Sequence, residues 1–258
     1  MPLGPITLGT INISRRFRGP PNSANGGYAC GRLAAFIQGP AEVTLRSPPP
    51  LERELSVVRD DGEGVALCDG DLVIATARPQ ATPVEDAQAP SFEEAVAASG
   101  RSFEPSHHKL PMCYVCGPDR EPGDGLRLFC GPLEAEDLDW NGTVAAPFVP
   151  EPYMAGSDGD VSPEFVWAAL DCPTAYAAGS PAGFPTILLG RQAVTILRRP
   201  KIAEKCIVTA RQTAKDGRKY HSQAALFGAD GRPIAQCKTT WIEVHRTVQL
   251  GKQGQPSS

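Results

Sequence analysis

No apolar run in this 258-residue chain is long enough to span a bilayer, which argues against a transmembrane helix and a membrane partner. The opening residues, "MPLGPITLGT", lack the basic-then-apolar pattern of a secretion signal. Excess positive charge is lacking too. A net charge of −4 argues against nonspecific nucleic-acid binding, although a local basic patch could hold a phosphate. What is present is a globular composition, 41% hydrophobic and 21% charged, long enough for one large or two modest domains. Eight cysteines without an export signal suggest reduced thiols and a cytoplasmic location. The 26 prolines and 26 glycines imply many turns and favour a β-rich architecture over a helical bundle.

Two stretches share one pattern. In the first half a strand, "ITLGTINISRRF", precedes a small-residue helix, "ANGGYACGRLAAFI". Strand-like runs follow: "AEVTLRSPP", "LERELSVVRDD" and "GVALCDGDLVIATA". In the second half, strands "GLRLFCGPL" and "NGTVAAPFV" precede the helix "SPEFVWAALDCPTAYA". The strands "RQAVTILRRP", "KCIVTARQTA", "YHSQAALFG" and "PIAQCKTTWIEV" come after it. Val/Ile/Thr enrichment and turn signals such as "DDGEG" and "KDGR" carry the strand assignments. Between the halves, "SFEEAVAASG" reads as a short helix with Ser91 as N-cap, Glu94 completing a capping box and Gly100 at its end. The expected organisation is therefore 1–80, a linker with a short helix at 81–112, a second unit at 113–246, and a disordered tail at 247–258.

The two main helices are expected over about 24–38 and 162–178. Each is apolar nearly all round, so each must be buried on all sides. One buried helix per half, followed by an antiparallel meander, suggests a sheet wrapped around a helix. Asp171 is the one acid in the middle of the second of these segments, and burying it is costly unless it is paired or used.

This pattern resembles the hotdog fold, and its two tandem copies resemble the double-hotdog acyl-thioester hydrolases over residues 5–80 and 113–245. "PNSANGGYACGRLA", "CYVCGPDREPGDGLRL" and "WAALDCP" are similar to an actinobacterial thioesterase-like group. The fold class the resemblance implies is α+β: a tandem double hotdog, two antiparallel sheets each wrapped around a central helix, with continuous antiparallel pairing expected between them because each meander leaves an edge. A homodimer of such chains also fits the resemblance.

Thioesterases of the single-hotdog, phenylacetate-pathway type carry His-Gly-Gly at the helix start and an acid seven residues after the second Gly. Here Asn25-Gly26-Gly27 keeps the glycines without the His, and Ala34 stands where the acid would be. The second helix has Ser162-Pro163-Glu164 at its start and Asp171 at the acid position. The resemblance thus implies one site shared between the halves, with the mirror site at Ala34 and Pro163 vestigial. Asp171 would be general base or nucleophile. The Asn25–Gly27 helix start would donate to the oxyanion through the Gly27 and Tyr28 N–H groups, because the first amides of a helix lack intrahelical partners. In the bland reading, Asp171 accepts structural hydrogen bonds, Gly26-Gly27 serve packing, and Asn22, Ser23 and Asn25 cap the helix.

The double-hotdog hydrolases orient water with an Asp, a Thr and a Gln. The Thr position falls at Gly190 beside Arg191 and the Gln position near Thr239, with Thr174, Thr239 or Gln236 as replacements. "FVWAAL" beside Tyr176 and Phe184 suggests an apolar pocket, and Tyr28 and Trp167 are expected to contact the substrate with Gly190, Arg191 and Thr239. The basic clusters at Arg198, Arg199 and Lys201 and at Arg15, Arg16 and Arg18 would suit coenzyme A phosphates or, more plainly, a charged strand edge. The expected activity is hydrolysis of a small-molecule acyl thioester such as a fatty acyl group on coenzyme A or on an acyl-carrier protein. The alternatives are a hotdog dehydratase, isomerase or acyltransferase, and a non-catalytic acyl-coenzyme A-binding protein. Coenzyme A would enter only as part of the substrate.

Cys113-x-x-Cys116 just after His107-His108 could make a four-ligand zinc site. The simpler reading is a Gly-Pro turn with two small buried thiols, so no metal is expected. Cys30 lies near Gly27 but has no neighbouring His in the sequence, so it reads as an inert core thiol.

Overall fold

The computed structural model describes residues 6–60, 62–81, 89–137 and 139–244. The first half runs β1 (Thr7–Asn12), α1 (Gly26–Ala34), β2 (Ala41–Leu45), β3 (Glu54–Arg59), β4 (Val65–Asp69) and β5 (Leu72–Pro79). After α2 (Phe92–Ser99) come β6 (Gly131–Pro132), β7 (Val144–Phe148), α3 (Pro163–Ala169), α4 (Cys172–Tyr176), β8 (Ile187–Ile196), β9 (Cys206–Asp216), β10 (Lys219–Phe227) and β11 (Pro233–Glu243).

Among the described residues every pairing between strands is antiparallel, and all eleven strands join one sheet, in the order β1-β3-β4-β5-β2-β8-β11-β10-β9-β7-β6. The order first, third, fourth, fifth, second of the early strands recurs in mirror image as β8-β11-β10-β9-β7. The two sheets run on into one, as the open edge of each meander leads one to expect: β2 and β8 pair across the middle, Ala41 opposite Val194 and Thr44 opposite Arg191. That pairing gives each meander a partner for the edge it would otherwise leave open.

Helix α1 starts at Asn25, whose Oδ1 accepts from the Tyr28 N–H at 2.9 Å. Seven of its nine residues are buried, most of them small, so the helix lies close under the sheet and against α3. Two glycines set that approach. A Cβ on Gly27 would overlap the Asp171 Cβ and stand 2.8 Å from the Trp167 carbonyl oxygen; one on Gly31 would stand 2.6 Å from the Glu164 Cα. Large buried side chains from both halves, among them Leu33, Val57, Leu67, Trp167, Val208 and Leu226, share one core.

The second helix is not continuous. It stops at Leu170 and restarts at Cys172, leaving Asp171 in the break rather than inside a helix. Pro173 is the reason. It has no N–H to donate to the Ala169 carbonyl, and its ring crowds that carbonyl. Carbonyls at the break find partners on the sheet: Trp167 O accepts from Gln192 Nε2 at 3.0 Å, and Leu170 O accepts from the Cys237 thiol at 3.4 Å.

Helix α2 has its capping box, with the Glu94 N–H donating to Ser91 Oγ and the Ser91 N–H to Glu94 Oε2. It packs on β6, β7 and β9, where Ala95 and Ala98 meet Ala145, Ile207 and Phe227 in a separate small cluster. The expected strand over 125–133 is reduced to Gly131–Pro132, since Arg127 adopts a positive φ of 52° that an extended strand cannot hold. The tail expected at 247–258 lies outside the described residues. No helix among the described residues is long and apolar enough to cross a membrane.

Candidate active site

A cavity of about 450 Å³ opens beside the start of α1, with Asn25, Gly26 and Asp171 on one wall. Apolar side chains, including Leu45, Leu110, Phe184, Leu189 and Trp241, cover much of the rest. Lys109 and Arg46, both exposed, are the basic side chains of the lining.

Asp171 is 1% exposed. Its Oδ2 accepts from Asn25 Nδ2 at 2.7 Å and from the Gly27 N–H at 3.1 Å, so α1 of the first half holds the acid of the second. The other oxygen, Oδ1, is buried without a hydrogen-bond partner among the described residues. Burial pushes the carboxyl up to about 7, and the bond from the Gly27 amide opposes that rise. A carboxyl that shares its proton near neutrality, with one oxygen uncommitted, can take a proton from a bound water or give one up.

The donors expected for an oxyanion are differently employed. The Gly27 N–H serves Asp171, and the Tyr28 N–H serves Asn25 Oδ1. The amide at the mouth of the helix is that of Gly26, the first residue of α1 and part of the cavity lining. Asn25 caps the helix through the Tyr28 N–H, and the Gly26 N–H, as one of the first amides of α1, has no intrahelical carbonyl to serve.

Thr174 is fully buried and bridges structure rather than water. Its Oγ1 donates to the Asp171 carbonyl at 2.6 Å and accepts from the Trp241 indole at 2.8 Å. Thr239 Oγ1 donates to the Ser222 carbonyl at 3.3 Å, and Gln236 is buried on the same strand. Tyr28 stacks on Phe17 with ring centroids 4.1 Å apart, and Trp167 lies against Gly31; neither lines the cavity. Gly190 does line it, packed so tightly that a Cβ would stand 2.9 Å from Ile242.

The arginines expected at the substrate are ion-paired elsewhere. Arg191 faces Glu42 at 3.8 Å across the β2–β8 junction, Arg198 grips Glu204, and Arg199 pairs with Asp158. None of the three lines the cavity. A carboxylate lies within reach of each, which the spacing of basic residues along the chain does not reveal.

Sequence reasoning missed Cys172 and Gln192. Cys172, the residue after Asp171, brings its sulfur to 3.7 Å from that of Cys113. Cys113, Cys116 and Cys172 together form a buried cluster with all three sulfurs within 4.8 Å of one another, and all three residues line the cavity. Within it Cys113 is the thiol that ionises most readily. The Cys116 and Cys172 thiols and the Cys116 and Val115 amides donate to it and outweigh the cost of burial. His107 is exposed, and His108 turns its Nδ1 to the Leu110 N–H at 3.1 Å, so neither histidine belongs to the cluster. Cys30 is buried and its thiol is held well up by desolvation, which leaves it inert. Gln192 was legible only as a polar residue in an apolar strand. Its role, holding the Trp167 carbonyl, depends on the break in the second helix.

No protein-family profile matches the chain, and no curated protein matches its sequence. Solved structures do match. A tesB protein of Mycobacterium avium subspecies paratuberculosis is similar at a TM-score of 0.60 and 13% identity, over 94% of this chain and 96% of the other. A candidate thioesterase II of Thermobifida fusca YX is similar at a TM-score of 0.59 and 13% identity, over 93% and 95% of the two chains. A conserved protein of unknown function with a hotdog fold, from Alicyclobacillus acidocaldarius, is similar at a TM-score of 0.57 and 12% identity, over 92% and 93%. At these identities the likeness is one of fold: the chain has the hotdog fold along its described length.

Proposed function

We propose that the chain is a tandem double hotdog, its two units at 1–80 and 113–246, and that it hydrolyses an acyl thioester at Asp171. One observation carries the reading. A buried carboxyl on a cavity wall is held by the helix start of the other unit, and its second oxygen is left uncommitted. The candidate thioesterase II among the solved structures of the same fold lends support.

In this mechanism Asp171 takes a proton from a water as that water attacks the thioester carbonyl carbon. The carbonyl electron pair moves onto oxygen, toward the Gly26 N–H at the positive end of α1. Collapse of the tetrahedral intermediate restores the carbonyl and breaks the carbon–sulfur bond. The departing thiolate takes back the proton from Asp171. The acyl chain lies along the apolar wall beside Phe184 and Leu189, and Lys109 and Arg46 at the cavity suit a phosphate-bearing carrier such as coenzyme A or an acyl-carrier protein. That assignment moves the carrier contact away from Arg191, Arg198 and Arg199.

A second reading, acyl transfer or dehydration without hydrolysis, draws on Thr174 and Thr239, whose hydroxyls are committed to backbone carbonyls instead of a water. Incubating the protein with a panel of acyl-coenzyme A thioesters and following release of free coenzyme A separates the two. Hydrolysis predicts release that falls at least about 100-fold in Asp171→Asn, the scale of losing a general base. Equal turnover by the Asn variant would remove Asp171 from the chemistry. Binding without release would favour the second reading.

A further inference from the structure

We infer that Cys113, Cys116 and Cys172 bind one thiophilic divalent cation of the zinc class, with a fourth coordination position open to the cavity. The inference does not rest on the thioester reading. It begins with distance. Thiolates around tetrahedral zinc sit about 2.3 Å from the metal and so about 3.8 Å from one another. The Cys113 and Cys172 sulfurs are 3.7 Å apart, and the Cys116 sulfur lies within 4.8 Å of both.

The turn that carries two of the ligands has the shape a metal knuckle needs. Over Cys113-Tyr114-Val115-Cys116-Gly117 the chain folds back so that the Gly117 N–H donates to the Cys113 carbonyl at 2.8 Å. Only glycine closes this turn, since a Cβ at Gly117 would stand 2.5 Å from the Pro111 carbonyl oxygen and 2.6 Å from the Cys113 nitrogen.

The third ligand arrives from a different part of the chain. Cys172 follows Asp171 at the break that Pro173 imposes, and it meets a turn 59 residues earlier in the sequence. The Asn25 amide nitrogen stands 3.9 Å from the Cys113 sulfur and 3.8 Å from that of Cys172, a further donor for paired thiolates. Asp171 is a neighbour and not a ligand. Its Oδ2, 4.0 Å from the Cys172 sulfur, already accepts two hydrogen bonds. All three cysteines line the cavity, so a small exogenous ligand could complete a tetrahedron from that side. Three sulfurs and no hard oxygen donor select zinc, or cobalt and cadmium as probes, over magnesium or calcium. A cation there would tie the 113–117 turn to the break that presents Asp171.

The test is metal uptake by the full chain, reduced and stripped under anaerobic conditions. Zinc measured by elemental analysis after dialysis should return about one equivalent per chain. Titration with cobalt(II) should produce thiolate-to-metal charge-transfer absorption that saturates at the same ratio. Cys172→Ala and Cys113→Ser should lose saturable uptake, while Cys68→Ser, at a half-exposed cysteine outside the cluster, should keep it. Thermal melts of each metal-free variant show whether it folds. Should the cluster variants not fold, the wild type decides, with zinc expected to raise its melting temperature and a chelator to reverse the rise. No saturable uptake by reduced wild type overturns the inference, as does uptake that Cys172→Ala leaves unchanged. A Cys113–Cys172 disulfide in protein that takes up no zinc after full reduction overturns it in favour of a redox pair.

Discussion

The Asn25 side-chain amide and the Asp171 carboxylate meet at 2.7 Å although 146 residues separate them. Asn25 does two jobs with one side chain, since its oxygen caps α1 through the Tyr28 N–H while its nitrogen holds Asp171. Asn25→Ala therefore removes a helix cap and a charge-assisted bond together, and should cost about 3 kcal/mol of unfolding free energy. Asn25→Ser restores the cap alone and should recover about 1 kcal/mol of that loss. Urea denaturation of the three proteins measures both; equal stability of the Ser and Ala variants would show that the cap contributes nothing.

Gly27 and Gly26 should respond differently to alanine. At Gly27 the added Cβ meets Asp171 and the Trp167 backbone, neither of which can move without opening the α1–α3 contact. At Gly26 the near atoms are Leu189 Cδ2 at 2.8 Å, the end of a side chain that can turn, and Leu189 Cβ at 3.0 Å, which need give by only a few tenths of an ångström. Gly27→Ala is expected to destabilise by about 2–4 kcal/mol despite alanine's better helix propensity, and Gly26→Ala by about 1 kcal/mol or less. Chemical denaturation ranks them, and the reverse order would contradict this account of the helix contact.

Thr174→Val keeps the shape of the side chain and removes its hydroxyl. The Trp241 indole would then be buried without its acceptor, and the Asp171 carbonyl would lose one of two donors. A cost of about 2 kcal/mol is expected. The accompanying readout is thioester turnover, which should fall less than in Asp171→Asn, because Thr174 positions the break and does not touch the cavity.

Glu204 gives the fold an acid-sensitive clasp. Its carboxylate accepts from Arg198 Nη1 and Nη2 at 3.0 and 2.7 Å and from the Lys201 and Ala229 amides, joining the segments after β8 and after β10. Chiefly through the Arg198 hydrogen bonds, its pKa is held at about 2, below the ordinary carboxyl range. The folded state thus binds fewer protons than the unfolded one between about pH 4.3 and pH 2. The stabilisation is complete above that window and is lost as pH falls through it. Solvent around the half-exposed Arg198 limits the contribution to about 1 kcal/mol. Melting temperatures of wild type and Glu204→Gln should converge as pH drops from 6 to 2, and a constant gap would assign the stabilisation to packing.

Placing an acid at the mirror position should not make a second site. Ala34→Asp puts a carboxyl on α1, but the facing helix begins with Pro163, which has no N–H to offer it. Thioester release by the double variant Ala34→Asp with Asp171→Asn should stay at the level of Asp171→Asn alone. Recovered turnover would show that the two halves are functionally equivalent.

Much of this was legible along the chain. Val/Ile/Thr runs between turn signals marked nine of the eleven strands, since side-chain alternation and turn chemistry are local. The last meander is legible strand by strand. The first half's "GVALCDGDLVIATA" reads as one run and is a hairpin of β4 and β5, turned at Gly70 with a φ of 57°. Ser91 and Glu94 announced α2 because a capping box needs only four consecutive residues. Asn25, Gly26 and Gly27 marked the start of α1, and Asp171 stood out as an unaccompanied acid in an apolar stretch.

By itself, then, the sequence determined the elements, their apolar faces and the one carboxyl that must be explained. The tertiary structure decided what those groups touch. Pro173 was visible, but only packing against Gln192 and Cys237 shows that the helix breaks there and sets Asp171 at the cavity. The same packing gave the Gly27 amide to Asp171 and brought Cys172 to the Cys113 turn. Arg198 and Arg199 look available in sequence and are held by Glu204 and Asp158 in space. The physical reason is range. Capping, turn and periodicity signals act within a few residues, whereas hydrogen bonds, ion pairs and sulfur contacts act over a few ångströms between residues the sheet brings together from opposite halves of the chain.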